Sequence, residues 1–265
     1  MKEQNYALVT GASRGLGRAY AFELAKRNYN LIMVSLPDDG LEEIANNIQQ
    51  QYKVDVVYFE KDLTQKEDIL NLAIDVNQNY NLNMLINNVG FGGGRHFLEV
   101  SSDYIDRMIQ LNVRATALIT HELLPNLIQR KKAFVLNVSS MAGMSPIGYK
   151  TVYPATKAFV YSFSRSLEKE FADTNVHFGV VSPGPMMTND DVIKRMEYQG
   201  YIVRKAILSP EKVAFISIKK LLKGKNIITL TGFHKVQWAL LHIVPVRFKM
   251  SILSKIAKNE VLSES

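Results

Sequence analysis

Tyr153 and Lys157 stand four residues apart in the segment NVSSMAGMSPIGYKTVYPATK, which runs from Asn137 to Lys157. On a helix that spacing places a phenol and an ammonium on one face, a turn apart. A phenol loses its proton near about pH 10 in water, and a neighbouring ammonium favours the phenolate. The pair is therefore a candidate acid/base tuned toward neutral pH. Pro154 disfavours α geometry at the residue before it, which sets Tyr153 in the first turn of the helix. Ser140 lies thirteen residues earlier, just beyond an apolar run, Ala133 to Val138, that reads as a strand. A strand end and a helix start can meet in one cleft at the carboxyl edge of a sheet. The same spacing also occurs on ordinary helix surfaces. Tyr149, whose i+4 residue is Tyr153, has no such ammonium partner.

The elements that would position these groups alternate along the chain. Short apolar runs, taken as strands, cover Tyr6 to Thr10, Leu31 to Ser35, Val54 to Glu60, Met84 to Asn87, Ala133 to Val138, Val176 to Val181 and Ile227 to Thr231. Helical patterns separate them: Leu16 to Arg27, Leu41 to Tyr52, Lys66 to Asn79, Ser102 to Leu127 with a bend near Pro125, Pro154 to Ala172, and Val213 to Leu222 opened by Ser209-Pro210. Continuous apolar strands alternating with helices predict a doubly wound α/β domain with a parallel sheet, of Rossmann type.

Between the first strand and first helix runs Thr10-Gly11-Ala12-Ser13-Arg14-Gly15-Leu16-Gly17. Glycines there let the backbone approach a phosphate, and the helix N-terminus offers unpaired N–H groups. In that setting the turn indicates a dinucleotide. The second strand ends at Ser35, without the acidic residue that usually grips the ribose diol; the next carboxylate is Asp38, which could reach back. With Arg14 inside the turn, this favours NADP over NAD.

Composition bounds the remainder. A chain of 265 residues with 47% hydrophobic content predicts one large globular domain. There is no cysteine, which excludes disulfides, thiolate nucleophiles and cysteine-ligated zinc. The five histidines show no ligand spacing, so no metal is expected. No apolar run reaches the length of a spanning helix, and the first strand starts within a few residues of Met1, so a cytoplasmic protein without signal peptide is expected. The net charge is +7, yet Lys212 to Lys258 holds ten Lys/Arg and no Asp/Glu, which leaves −3 for everything else. The basic balance is local to the C-terminal fifth, and no nucleic-acid motif accompanies it.

The motifs TGASRGLG, NNVG (Asn87 to Gly90), LNV (Leu111 to Val113), NVSS (Asn137 to Ser140), YPATK and SPGPMMT (Ser182 to Thr188) stand in the order found in short-chain dehydrogenases/reductases. The resemblance covers about residues 5 to 232. It implies that Tyr153 is the general acid/base, that Lys157 lowers the phenol's pKa and holds the nicotinamide ribose, and that Ser140 binds the substrate oxygen, with Ser139 as the alternative. Asn112 is similar to the family's helix-bending Asn. Asn88 and Gly90 would line the adenosine, Asp62 and Leu63 would contact the adenine, and Pro183, Gly184 and Thr188 would clamp the nicotinamide carboxamide. Val89 departs from the pattern, standing where Ala is usual.

An NADP(H)-dependent oxidoreductase acting on a carbonyl or secondary alcohol is thus expected, over residues 1–232. The alternative is a non-catalytic nucleotide-binding or scaffold protein on the same fold. Residues 186–208 would form a lid, apolar through Met186, Met187, Ile193, Met196, Tyr198, Tyr201, Ile202, Val203 and Ile207, with Phe91, Phe97, Met141, Met144 and Ile147 opposite. Apolar lining suggests a lipophilic substrate such as a steroid, ketoacyl or ketosphingoid compound. The extension 233–265 alternates apolar clusters with cations, and Pro245 divides it into two helical pieces. It reads as a membrane-surface segment, a subunit interface or a flap over the domain. Similar tails occur in members of the 17β-hydroxysteroid dehydrogenase and long-chain 3-ketoacyl reductase types. Helices 102–127 and 154–172 resemble the family's dimerisation pair, which implies a homodimer or homotetramer.

Overall fold

In a computed structural model, residues 5–184, 186 and 207–262 are described. Seven parallel strands form one sheet: β1 (Tyr6–Thr10), β2 (Asn30–Ser35), β3 (Val56–Glu60), β4 (Leu82–Asn87), β5 (Ala133–Val138), β6 (Val176–Val181) and β7 (Ile227–Ile228), in the order β3-β2-β1-β4-β5-β6-β7. Every residue of β1 and β5 is buried, which is why these strands read as unbroken apolar runs. At the edge, β3 alternates between inward and outward positions. The strand order reverses between β1 and β4, and that crevice is where doubly wound sheets bind ligands.

Helices cover both faces. On one, α1 (Gly15–Ala25), α2 (Leu41–Tyr52) and α7 (Pro210–Leu222) bring Tyr20, Leu24, Ile48, Val213 and Ile218 against Val9, Met33 and Leu136. On the other, α3 (Lys66–Asn79) and α5 (Thr116–Ile128) bring Ile69, Leu72, Ile119 and Leu123 against Leu8, Ile32 and Leu85. The Ser209 hydroxyl caps α7 by accepting from the Lys212 N–H, with Pro210 in the first turn.

The expected long helix from Ser102 is three pieces. After α4 (Ser102–Ile109) comes a π turn over Gln110–Ala115, then α5. The irregularity lies at Asn112, not at Pro125, which α5 accommodates in its interior. Its cause is local competition for hydrogen bonds: the Thr116 hydroxyl takes the Asn112 carbonyl at 3.1 Å, and the Asn112 side chain is drawn toward other elements. The last expected strand is also shorter, with only Ile227 and Ile228 pairing to β6. Beyond it, α8 (Gly232–Ile243) and α9 (Val246–Leu262) flank Pro245 as expected and fold back onto the domain.

Candidate active site

Tyr153 lies in the first turn of α6 (Val152–Glu170), and Lys157 one turn on. The Ser140 hydroxyl lies beside the Tyr153 phenol and works against the rise in its pKa; it accepts from the Ala142 N–H at 3.1 Å, capping a short 3-10 turn over Met141–Met144. Ser139 does something else: its hydroxyl, 3% exposed, donates to the Lys157 carbonyl at 2.7 Å and fastens α6 to the end of β5. Ser140 is therefore the serine beside the phenol. Lys157 is buried and donates from Nζ to the Val138 carbonyl at 2.9 Å.

Burial decides the ionisation of both groups. It pushes the Tyr153 phenol up, partly offset by the Ser140 hydrogen bond, and brings Lys157 down to about 8. The expected lowering of the phenol by its ammonium neighbour is not seen: burial raises it, and the opposing contribution comes from Ser140.

Asn112 is fully buried. Its amide donates to the Phe91 carbonyl at 2.9 Å and to the Thr156 hydroxyl at 3.0 Å, and its Oδ1 accepts from the Phe91 N–H at 3.0 Å. It thereby pins the loop after β4. Along that loop a Cβ on Gly90 would lie 2.8 Å from Asn112 Oδ1 and 3.2 Å from Lys157 Nζ. A Cβ on Gly92 would lie 2.1 Å from Tyr153 Cδ2, so this loop passes flat against the phenol ring. Gly143, likewise, lies where a Cβ would meet the Lys157 backbone at 2.7 Å. Gly92, Gly143 and Thr156 were not singled out from sequence. The glycine-rich run after β4 was visible there, but which glycine faces the tyrosine depends on a long-range contact.

The glycine turn is built for close backbone approach. Gly11 has φ +68° and Gly15 φ +53°, and a Cβ on Gly17 would lie 1.9 Å from the Gly11 carbonyl oxygen. Asn88 ties it to β4, its amide donating to the Thr10 carbonyl at 3.0 Å and its N–H to the Thr10 hydroxyl at 3.0 Å. Leu16 packs inward at the start of α1, while Arg14 is exposed at the N-cap. A carboxylate does reach back beyond β2, but it is Asp39, not Asp38. Asp39 Oδ2 accepts from Ser13 at 3.0 Å and from Ser35 at 2.9 Å. Asp38 takes φ +61° in the turn, which swings the chain so that its neighbour faces the site.

Some expected contacts change character. The Asp62 carboxylate accepts from the Thr64 N–H and hydroxyl through Oδ1, and the Leu63 side chain is buried in the core. Pro183 accepts from the Met141 N–H at 2.9 Å, and Gly184 sits beside buried His234. Phe97 is half exposed and lines an open groove of about 390 Å³ with Leu98, Val100, Ile105 and Ile109, a lining that does not include Tyr153. Met186 pairs with Leu208. Thr188 and lid residues 187–206 lie outside the described residues. Among the described residues no group of acidic or histidine side chains could hold a metal ion.

The family profile described as short chain dehydrogenase matches residues 5–197. The chain belongs to the short-chain dehydrogenase family. Among curated relatives of this family it is 34% identical over 197 residues to the very-long-chain 3-oxoacyl-CoA reductase of Anas platyrhynchos, covering 73% of this chain and 63% of that protein. It is 31% identical over 180 residues to the hydroxysteroid dehydrogenase-like protein 1 of Gallus gallus, covering 67% and 54%. The match thus spans about three fifths of the length of these relatives. Among solved structures, a 7beta-hydroxysteroid dehydrogenase superposes with TM-score 0.85 at 20% identity over 97% of this chain and 98% of the other. A short-chain dehydrogenase from Sphingobium yanoikuyae in complex with NADPH superposes with TM-score 0.79 at 24% identity over 90% and 92%. At such identities the likeness concerns the fold.

Proposed function

We propose that this short-chain dehydrogenase reduces a carbonyl to a secondary alcohol, and runs the reverse reaction over the same groups, with NADP(H) and a lipophilic substrate. The observation that carries the reading is the bonded set at the sheet's carboxyl edge: Ser140 on Tyr153, with Lys157 and Asn112 holding the surrounding backbone.

The cradle of Gly11, Gly15 and Gly17 with Ser13 and Leu16 at the start of α1 suits a pyrophosphate. Arg14 and Ser35 would meet the adenosine 2′-phosphate, and Asn88, Gly90 and the backbone of Asp62 and Leu63 the adenosine. Pro183, Gly184 and Thr188 would hold the carboxamide. When bound, NADPH supplies the hydride. Tyr153 gives its proton to the carbonyl oxygen; a phenol kept protonated by burial is suited to that donation. Ser140 is the second donor to that oxygen, stabilising the charge that develops there. Lys157 holds the nicotinamide ribose, and Asn112 keeps the loop over Lys157 and Tyr153 in place. The names of the 3-oxoacyl-CoA and hydroxysteroid relatives support a lipid-like ketone, and the NADPH-bound neighbour supports the coenzyme. A non-catalytic scaffold has no need of this hydrogen-bonded set.

The test is NADPH oxidation against steroids, 3-ketoacyl thioesters, 3-ketosphinganine and small ketones, with parent and Tyr153→Phe. Loss of general acid catalysis should lower kcat by about 10²–10⁴-fold while NADPH still binds. Near-parental turnover in the variant would remove Tyr153 from the reaction.

A further inference from the structure

The two C-terminal helices use one side to close the domain and leave the other uncovered. Inward, His234 and Ala257 are buried, the Ser254 hydroxyl accepts from the Gly148 N–H at 2.8 Å, and Val261 lies beside Gly94. Lys249 turns inward too, donating to the Leu241 carbonyl at 2.5 Å and tying α9 to α8. On this side the two helices lie over the domain's own surface.

Outward, α8 presents Phe233, Val236, Leu240 and Ile243, spaced i, i+3, i+7 and i+10, and α9 presents Phe248, Ile252 and Ile256, spaced i, i+4 and i+8. These seven side chains are between 41% and 79% exposed. Helical spacing gathers each set into a stripe, and contiguous apolar surface rimmed by polar groups marks a contact. Around the stripes stand Lys235, Arg247, Lys255 and Lys258, all exposed, in a stretch with no carboxylate from Lys212 to Lys258.

We infer that the outer surface of α8–α9 seats this protein on an anionic lipid bilayer, its apolar stripes in the interface and its cations among the headgroups. Charge selects this occupant. A second copy docked through the same surface would bring two rims together in which cations far outnumber carboxylates, since Lys212 to Lys258 holds ten Lys/Arg and α9 adds only Glu260 beyond it. Among the described residues no helix is long and apolar enough to cross a membrane, so the helices lie along the surface. The seat is independent of the reaction proposed above.

Flotation of the full chain with vesicles tests it. The protein should float with phosphatidylcholine vesicles containing about 30% phosphatidylserine, and at least about ten-fold less with phosphatidylcholine alone. Raising salt from about 0.1 to about 0.5 M should weaken the anionic arm. Leu240→Asp/Ile252→Asp and, separately, Arg247→Glu/Lys255→Glu should each lose about ten-fold or more, with melting temperatures and NADPH affinity unchanged. Both pairs are exposed, so folding is preserved by at least one. Equal flotation of parent and both variants overturns the inference, as does a parent that fails to bind anionic vesicles. Conversion of a dimer to a monomer by Leu240→Asp/Ile252→Asp, without vesicle binding, also overturns it and assigns the surface to a second copy.

Discussion

Lys157 carries its charge where burial opposes it, with the Val138 carbonyl as its bonded acceptor. Its pKa falls from 10.5 to about 8. Below about 8 the folded and unfolded chains both hold the proton; between about 8 and 10.5 only the unfolded chain does, so in that window stability rises with pH. Lys157→Met abolishes this titration. Thermal melts of parent and variant from about pH 7 to about pH 10 should therefore shift in the parent's favour as pH rises. A constant difference would mean that Lys157 titrates normally. The coenzyme preference rests on two other side chains. On the proposal above, Arg14 would offer a charge to the 2′-phosphate and Asp39, held by Ser13 and Ser35, would oppose it. Arg14→Ala should weaken NADPH by about 10–100-fold and NADH little, whereas Asp39→Asn should strengthen NADPH over NADH. Fluorescence titration with both coenzymes checks the pair; equal losses in Arg14→Ala would undo the assignment.

The loop after β4 acts as a template laid over α6. Asn112, held out of regular helical pairing by the π turn, fixes Phe91 from both backbone groups, and this sets Gly92 against the phenol ring. Gly92→Ala would place a methyl within 2.1 Å of Tyr153 Cδ2 and 2.9 Å of Tyr153 Cβ. The second contact is close to the main chain, so a ring flip does not relieve it. Displacement of a reacting group by about 1 Å costs on the order of 10²-fold in rate. The expected result is a fall of that size in kcat, destabilisation of about 1–3 kcal/mol, and unchanged NADPH affinity. Steady-state kinetics, melting curves and coenzyme titration read the three separately, and parental kcat would show that the loop does not position Tyr153. Both the π turn and Pro125 fall within one apolar-periodic stretch. The sequence there shows a helix with a polar residue and a proline, but of the groups that hold Asn112 only Thr116 is local, while Phe91 and Thr156 are distant in the chain.

Apolar side chains remain on the outside of the helices expected to pair subunits: Ile109 at the end of α4 and Phe159, stacked on Phe163, on α6. We expect a homodimer through this face. Sedimentation at micromolar concentration should give a dimer, shifted to monomer by Ile109→Lys/Phe159→Lys. A monomeric parent would remove the expectation.

The doubly wound sheet, the glycine turn, Ser140, Tyr153, Lys157 and the break at Pro245 were all legible along the chain, because each depends on local properties. Apolar runs, periodicity, glycine placement and an i, i+4 spacing act over a few residues. The choice of Ser140 over Ser139 follows from the resemblance to short-chain dehydrogenases/reductases, and the fold shows Ser139 engaged with the Lys157 carbonyl. What no local reading could supply were the identities of Asp39 and Gly92, the raised phenol pKa and the outward stripes of α8 and α9. Each depends on which remote surfaces come together and on how much water they exclude, and that is settled when the sheet is covered.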